Sequence, residues 1–295
     1  MVEELAARGH QITAYTAFKQ EKPLRNYKAV YTPLRKTEMR MEDFDFASWR
    51  HRPVISYINT LWTFFPALLE VILQGQEFQE LMSQPNDSYD LIIVEATFSQ
   101  ECLLGFGHKF GVPVINLHPL AIPPLVAQMS GSPHSMSYIP DFRLPFTDRM
   151  SFWQRVKNTV IGVYDLIGGN VFYIPNQERL MRRYFRYPGS ESLPPVRDLI
   201  ANISLHLVDA NPLLTYNRPL SPNIIDVAGM NLKKVGKLPQ DLKTFLDEAS
   251  EGAIYFSFGS LLSSSMFSAE MNKVFVETMK KFYSISNHLE MGGKN

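Results

Sequence analysis

The chain of 295 residues has a single cysteine, Cys102. That excludes an intrachain disulfide and any Cys-x-x-Cys metal or redox motif. An excess of charge is missing too, since 29 Lys and Arg stand against 29 Asp and Glu. Such a balance offers nothing to a polyanion, so nucleic acid is not an expected partner. There is no G-x-G-x-x-G or P-loop pattern, and a dinucleotide or ATP site therefore gains no support. There is also no His/Cys/Asp cluster with metal-ligand spacing, and no metal is expected. The start, Met1-Val2-Glu3-Glu4, is acidic and lacks the apolar run of a signal peptide. No unbroken window reaches the roughly 18 apolar residues of a membrane span. The nearest, residues 57–73, is interrupted by Asn59, Pro66 and Glu70.

What is present is apolar. Hydrophobic residues make up 45% and charged residues 20%, enough to bury a large core and too apolar for a disordered polymer. The 12% aromatic content and 13 Met suit either a roomy apolar pocket or ordinary core packing. Two N-glycosylation sequons, at Asn86 and Asn202, match the about two that chance supplies and carry no weight.

Residues 1–8 have helix-forming composition, with Val2, Leu5 and Ala6 on one face and Gly9 placed as a cap. Residues 10–16 alternate and are rich in β-formers, which predicts a strand. Helix then strand is the second half of a βαβ unit, so the strand before the helix is expected to be absent from this chain. Residues 19–52 read as irregular, and 53–82 as helical. Leu91-Ile92-Ile93-Val94 is an apolar run that suits a strand buried on both faces of a parallel sheet. Residues 101–110 predict a helix capped by Gly111, and 113–117 a second buried strand. This is the doubly wound pattern. Residues 119–145 read as one long loop, functional or mobile. Residues 152–187 read as helix broken at Gly168-Gly169, and 203–208 and 224–227 as strands. A short helix over 241–249 follows Pro239. Then comes a β-prone run, Ala253-Ile254-Tyr255-Phe256-Ser257-Phe258, ending in Gly259-Ser260.

In this order, several segments resemble the UDP-glycosyltransferase family that includes the UDP-glucuronosyltransferases. They are Leu5-Ala6-Ala7-Arg8-Gly9-His10-Gln11-Ile12-Thr13, then Tyr89-Asp90-Leu91-Ile92-Ile93-Val94-Glu95 with Glu101-Cys102-Leu103-Leu104. Ser135-Met136-Ser137-Tyr138-Ile139-Pro140 follows, and the run from Gly252 to Ser260 closes the series. Gly105-Phe106-Gly107-His108-Lys109-Phe110 and Asn211-Pro212-Leu213-Leu214 are most similar to insect members.

The resemblance implies an α/β fold of GT-B type, two facing Rossmann-like domains with the active site in the cleft between them. It implies an acceptor-binding domain over 1–237 with its first strand missing, a linker helix over 238–251, and the start of a UDP-sugar-binding domain over 252–295. It further implies transfer of a hexose, glucose or glucuronate, from a UDP-sugar to a small lipophilic acceptor by inverting displacement. UDP-sugar is then a co-substrate, and no cofactor is required. A base must deprotonate the acceptor, and the diphosphate must be stabilised. Helix N-termini and backbone N–H groups can cradle phosphates without a metal.

The family's base is a His in a segment that would precede Met1. His10 matches the His of the family's Arg-Gly-His segment and reads as a capping or packing residue. The family's carboxylate partner for the base is an Asp where this chain has Glu95. One extra methylene moves that carboxylate by roughly 1.5 Å. Independently of the family, an acid directly after an apolar strand lies at the carboxyl edge of a parallel sheet, where ligands bind. Gly259 and Ser260 are the expected donor contacts, a glycine for close approach and a hydroxyl for phosphate. His118, His134 and Tyr138 flank or lie in the acceptor loop and are candidate pocket residues. Residues 152–157 open an amphipathic helix that suits either a membrane surface or domain packing. The family places such enzymes at the endoplasmic reticulum.

The family's His-Gly-Gly donor segment is expected after Phe282, where this chain instead runs to Asn295 through a sequence unlike it. The 295 residues alone are therefore expected not to turn over UDP-sugar. The alternative to an enzyme is a catalytically inactive chain that binds acceptor or pairs with another copy or a full-length enzyme. A lone Rossmann oxidoreductase would need a Gly-rich first turn, which is lacking.

Overall fold

The computed structural model describes residues 1–16, 23–32, 52–96, 99–232, 235–250, 252–257 and 267–282. The chain divides into two compact units, Met1–Leu232 and Lys233–Asn295.

The first unit opens with helix α1 (Val2–Ala7), which buries Ala6. Gly9, at φ +103°, turns the chain into strand β1 (Ile12–Thr16). Strand β2 (Tyr27–Tyr31) pairs parallel with β1, Ile12 facing Tyr27 and Thr16 facing Tyr31. The irregular reading of 19–52 is thus corrected at β2. The Tyr27-Lys28-Ala29-Val30-Tyr31 alternation is too short to stand out until a partner strand pairs with it.

Two helices follow, α2 (Val54–Leu73) and α3 (Gln76–Ser83), separated at Gln74–Gly75. By length and mean composition alone α2 is apolar enough to cross a membrane, although Asn59, Pro66 and Glu70 interrupt it. Four of its residues, Ile58, Pro66, Leu69 and Leu73, are nevertheless buried within the protein.

The second sheet has four strands, β3 (Ile92–Val94), β4 (Val114–His118), β5 (Leu205–Val208) and β6 (Ile224–Asp226). They lie in the order β3-β4-β5-β6, all parallel. Between β3 and β4 the chain makes a 3-10 turn (Glu101–Leu104) and helix α4 (Gly105–Phe110). Gly111, at φ +65°, caps α4 as its sequence position predicts.

The loop expected over 119–145 contains helix α5 (Pro124–Met129), whose Leu125, Val126 and Ala127 are buried. Pro123 and Pro124 suit a helix start and hid it from a composition reading. Helix α6 (Phe152–Gly168) begins with a capping box, in which Ser151 and Gln154 satisfy each other's backbone N–H groups. The expected break at Gly168-Gly169 does not occur. The chain continues through one π-helical turn (Gly169–Tyr173) into α7 (Ile174–Tyr184). The glycines serve close approach instead, because a Cβ on Gly168 would stand 2.1 Å from the Trp62 ring. Helices α8 (Val196–Ala201) and α9 (Pro212–Thr215) flank β5. The core joins these layers through residues such as Leu104, Phe106, Leu180, Met181, Phe185 and Ile200. Burying one such side chain contributes about 1.5–3 kcal/mol.

In the second unit, helices α10 (Gln240–Glu248) and α11 (Ala269–Phe282) are formed. Residues 252–257 make no strand, which corrects the strand expected from Ala253 onward. Ile254 and Tyr255 are exposed. High β-propensity needs a neighbouring ladder to satisfy its backbone groups, and the described residues of this unit supply none. Gly259 and Ser260 lie outside the described residues.

Candidate functional site

The carboxyl ends of β3 to β6 gather most of the buried polar groups of the first unit. Glu95 follows β3 directly and is half-buried. Ala96 donates its N–H to the buried Asn116 side chain of β4 (3.1 Å), which fixes the strand end. Ser99 is buried at φ +64°. A non-glycine residue pays of order 1 kcal/mol for that conformation and keeps it only where the surroundings enforce it.

The enforcement comes from α7. Gln177, fully buried, donates to the Ser99 carbonyl (3.0 Å) and accepts from the Cys102 N–H (3.2 Å). Beside it, Tyr173 donates its phenol O–H to Oε2 of Glu101, which is only 3% exposed. Burial raises the Glu101 carboxyl to about 7; the Tyr173 bond opposes the rise, and the charge of Glu95 adds to it. Tyr173 sits at the end of the π-turn, a local irregularity that recurs at functional sites.

Across the end of β4 and the amino half of β5 the polar groups are basic. His118 Nε2 and His206 Nδ1 are 3.0 Å apart, and His206 Nε2 is 3.0 Å from the Ser130 hydroxyl just past α5. Both rings are completely buried. Burial holds His206 down at about 4. It also holds His118 at about 3, with His206 contributing to the latter. Both imidazoles are therefore neutral at pH 7. Each then has one donor and one acceptor nitrogen, enough for a chain from Ser130 through His206 to His118.

The segment after α5 is tied down by ions. Arg143, with only 6% of its side chain exposed, binds both oxygens of Asp141 (2.8 and 2.5 Å) and one of Asp165 on α6 (2.8 Å). Asn158 of α6 donates to the carbonyls of Met136 and Ile139. His134 is half-buried, and burial and then Arg218 keep its ring below the usual range. Tyr138 is partly exposed and acts electrostatically on Arg218. A cavity of about 40 Å³ lies at the ends of β5 and β6 against Ile122, Val208, Arg218 and Asp226. That is room for a few waters and far below the roughly 300 Å³ of a small-molecule site. A larger, open groove of about 360 Å³ runs between α5 and the α6–π-turn junction, lined by Gln128, Val163, Leu166, Ile167, Asn170 and Val171.

The sequence candidates are thus distributed as follows. Glu95 stands at the strand end with Glu101 and Tyr173. His118 is inside the core with His206, not on a pocket wall. His134 and Tyr138 share the neighbourhood of Arg218. The structure adds Glu101, Tyr173, Gln177 and His206 to the list. His206 carried a signal, a lone polar residue inside Leu205–Val208, whereas Glu101 was hidden in a segment that reads as plain helix. Among the described residues no group of three or more His, Cys, Asp or Glu is placed to hold a metal ion.

These features define an α/β domain of the doubly wound class, whose ligand side is the carboxyl edge of its parallel strands. The family model described as "UDP-glucoronosyl and UDP-glucosyl transferase" matches residues 1–281. UDP-glycosyltransferase UGT4 of Dactylopius coccus is 31% identical over 89% of this chain and 51% of its own length. UDP-glycosyltransferase UGT5 of the same insect is 31% identical over 95% of this chain and 53% of its length. The 2-hydroxyacylsphingosine 1-beta-galactosyltransferase of Rattus norvegicus is 30% identical over 65% of this chain and 32% of its length. No solved structure matches significantly. The chain belongs to the UDP-glycosyltransferase family, whose architecture is GT-B. It spans about half the length of the curated insect relatives it matches.

Proposed function

We propose that this chain supplies the acceptor-binding half of a transferase that moves a hexose from a UDP-sugar to a small lipophilic hydroxyl compound, inverting the anomeric centre. The observation that carries this reading is Glu95, a carboxylate at the open end of β3 in a chain of this family. In the proposed mechanism Glu95 orients and stabilises the imidazolium of a His base as that base takes the acceptor proton, the role of a triad carboxylate. His134 and Tyr138 line the acceptor side, and His118, in the core, is joined through His206 to Ser130 earlier in the same segment. Residues from Gly252 onward begin the donor-binding part, with Gly259 and Ser260 contacting the UDP moiety. UDP-sugar enters as a co-substrate.

Localisation at the endoplasmic reticulum and contact with its membrane belong to the same proposal. Along α6 and the π-turn, Trp153, Val156, Val160, Val163, Ile167 and Val171 form one exposed apolar stripe. Arg149, Arg155 and Lys157 lie close to its start. Apolar and aromatic residues beside basic ones are the composition of a helix lying in a bilayer surface.

Isothermal titration of the purified chain with a panel of planar phenols and steroid alcohols, and with UDP-glucose and NADH, tests the reading. Saturable binding of lipophilic alcohols, weakened several-fold in Tyr138→Ala and His134→Ala, is expected. Binding of NADH with no response to any alcohol would overturn it.

A further inference from the structure

Helix α6 and the π-turn after it are built inside out. Their small residues face the protein. A Cβ on Gly162 would stand 2.7 Å from Met136 Sδ, one on Gly168 2.1 Å from the Trp62 ring, and one on Gly169 2.8 Å from Leu125 of α5. Their large apolar residues face outward, and Trp153, Val160, Ile167, Val171 and Phe172 are each more than half exposed. A helix packed on a core normally does the reverse. Toward its carboxyl end the stripe becomes one wall of the groove of about 360 Å³ against α5, to which it contributes Val163, Ile167 and Val171, with Leu166 beside them. That volume is within the range of small-molecule sites, which begins at roughly 300 Å³. The groove's polar lining is Gln128 of α5 and Asn170 of the π-turn. Asn170 is held in place, donating to the Leu166 carbonyl (2.7 Å) and accepting from Arg197 Nη2 of α8 (2.5 Å). Arg197, an exposed residue, is thereby fixed beside the groove, and among the described residues no carboxylate pairs with it.

An apolar groove with a cation fixed beside it matches one acyl chain and an anionic head group. The charge nearby agrees. From Phe152 to Tyr173 the only acid is Asp165, which Arg143 holds, whereas Arg155 and Lys157 add cations at the start of the stripe. A second copy of this chain would bring the same cations, so symmetric pairing of these faces sets like charges together. We propose that the groove binds an anionic phospholipid: one acyl chain lies along Val163, Leu166, Ile167 and Val171, and Arg197 holds the phosphate. The lipid comes from the bilayer surface that the stripe touches, so the site rests on that reading of the stripe. Burial of the chain's methylenes supplies the affinity. The charge-assisted bond to Arg197 supplies the preference for an anion.

The test is isothermal titration of the purified full chain with dioctanoyl phosphatidylglycerol and dioctanoyl phosphatidylcholine, both below their micelle thresholds. Saturable binding of a single phosphatidylglycerol per chain is expected, several-fold tighter than phosphatidylcholine. Arg197→Gln should weaken phosphatidylglycerol about tenfold and remove the preference. Ile167→Glu, at an exposed position and with far-UV circular dichroism as the check on folding, should abolish binding of both lipids. Absence of saturable binding, equal affinity for the two lipids, or affinities unmoved in either variant would overturn the lipid site. Flotation on phosphatidylglycerol vesicles separates the site from the stripe. Trp153→Ser combined with Val160→Ser should lose flotation and keep the soluble lipid. A wild type that floats but binds no soluble lipid overturns the groove alone. One that binds the soluble lipid but does not float overturns the bilayer reading alone.

Discussion

Past the end of β3 a carboxyl, Glu101, and across β4 and β5 two imidazoles, His118 and His206, are buried in comparably dry surroundings. Burial treats them by one rule and produces opposite results. Burial raises Glu101 toward neutrality. His206 and His118 are lowered well below neutrality and give up their protons. In each case the fold selects the uncharged form, so charge at this edge of the sheet is left to groups with a cation or with solvent, such as Asp141 on Arg143 or the half-exposed Glu95. Charge is thus withheld from the buried Glu101, His118 and His206.

The comparison breaks most severely at His206. Replacing it by Ala removes two hydrogen bonds, leaves Ser130 and His118 facing a void, and should cost about 3–4 kcal/mol in urea unfolding. A loss under 1 kcal/mol would mean that the pair contributes little.

Next in size is the response to pH, and Glu101 and the two histidines predict opposite signs. His118 and His206 titrate lower in the folded chain than in the unfolded one. Their contribution is complete above about pH 6.5 and lost as pH falls from there toward 4 and 3. Glu101 titrates higher in the folded chain. Its contribution is complete below about pH 4.5 and lost as pH rises through about 7, on the order of 3 kcal/mol in total. Glu101→Gln should therefore flatten the fall in stability between pH 5 and pH 8, while leaving the acid limb unchanged. Urea midpoints measured across that range check both limbs.

A smaller effect sharpens the link between helix packing and the buried Glu101. Gly168→Ala places a Cβ against Trp62, and the strain should cost about 1–3 kcal/mol. Because the π-turn that carries Tyr173 starts one residue later, the Glu101 limb of the stability profile should move as well. The smallest effect belongs to Ser130→Ala, which removes one hydrogen bond to His206 and should cost about 1 kcal/mol in the same assay.

The place of Glu95 directly after a strand was legible because an apolar run followed by a carboxylate marks the carboxyl edge of a parallel sheet. The strands at 91–94 and 113–117 were legible for the same reason, and Gly111 because a cap has a local signature. Glu101 was not, since nothing in Glu101-Cys102-Leu103-Leu104 tells that α7 will close over it. Gly168-Gly169 read as a break because glycine weakens an isolated helix. Only the Trp62 ring of α2, 106 residues earlier in the chain, reveals why small residues are needed there. The β-prone run from Ala253 failed in the opposite direction. Its local propensity was real, but the described residues give it no neighbour to pair with.

Cys102 gives the site a clock. The sole thiol of the chain is fully buried next to Glu101, and its N–H is held by Gln177. Its thiolate form is suppressed by burial and by the neighbouring acid. A thiol reagent can reach it only while the 3-10 turn has come away from α7. The labelling rate of the untouched protein thus counts how often the end of β3 opens, with no engineered probe and no second cysteine to confuse the reading.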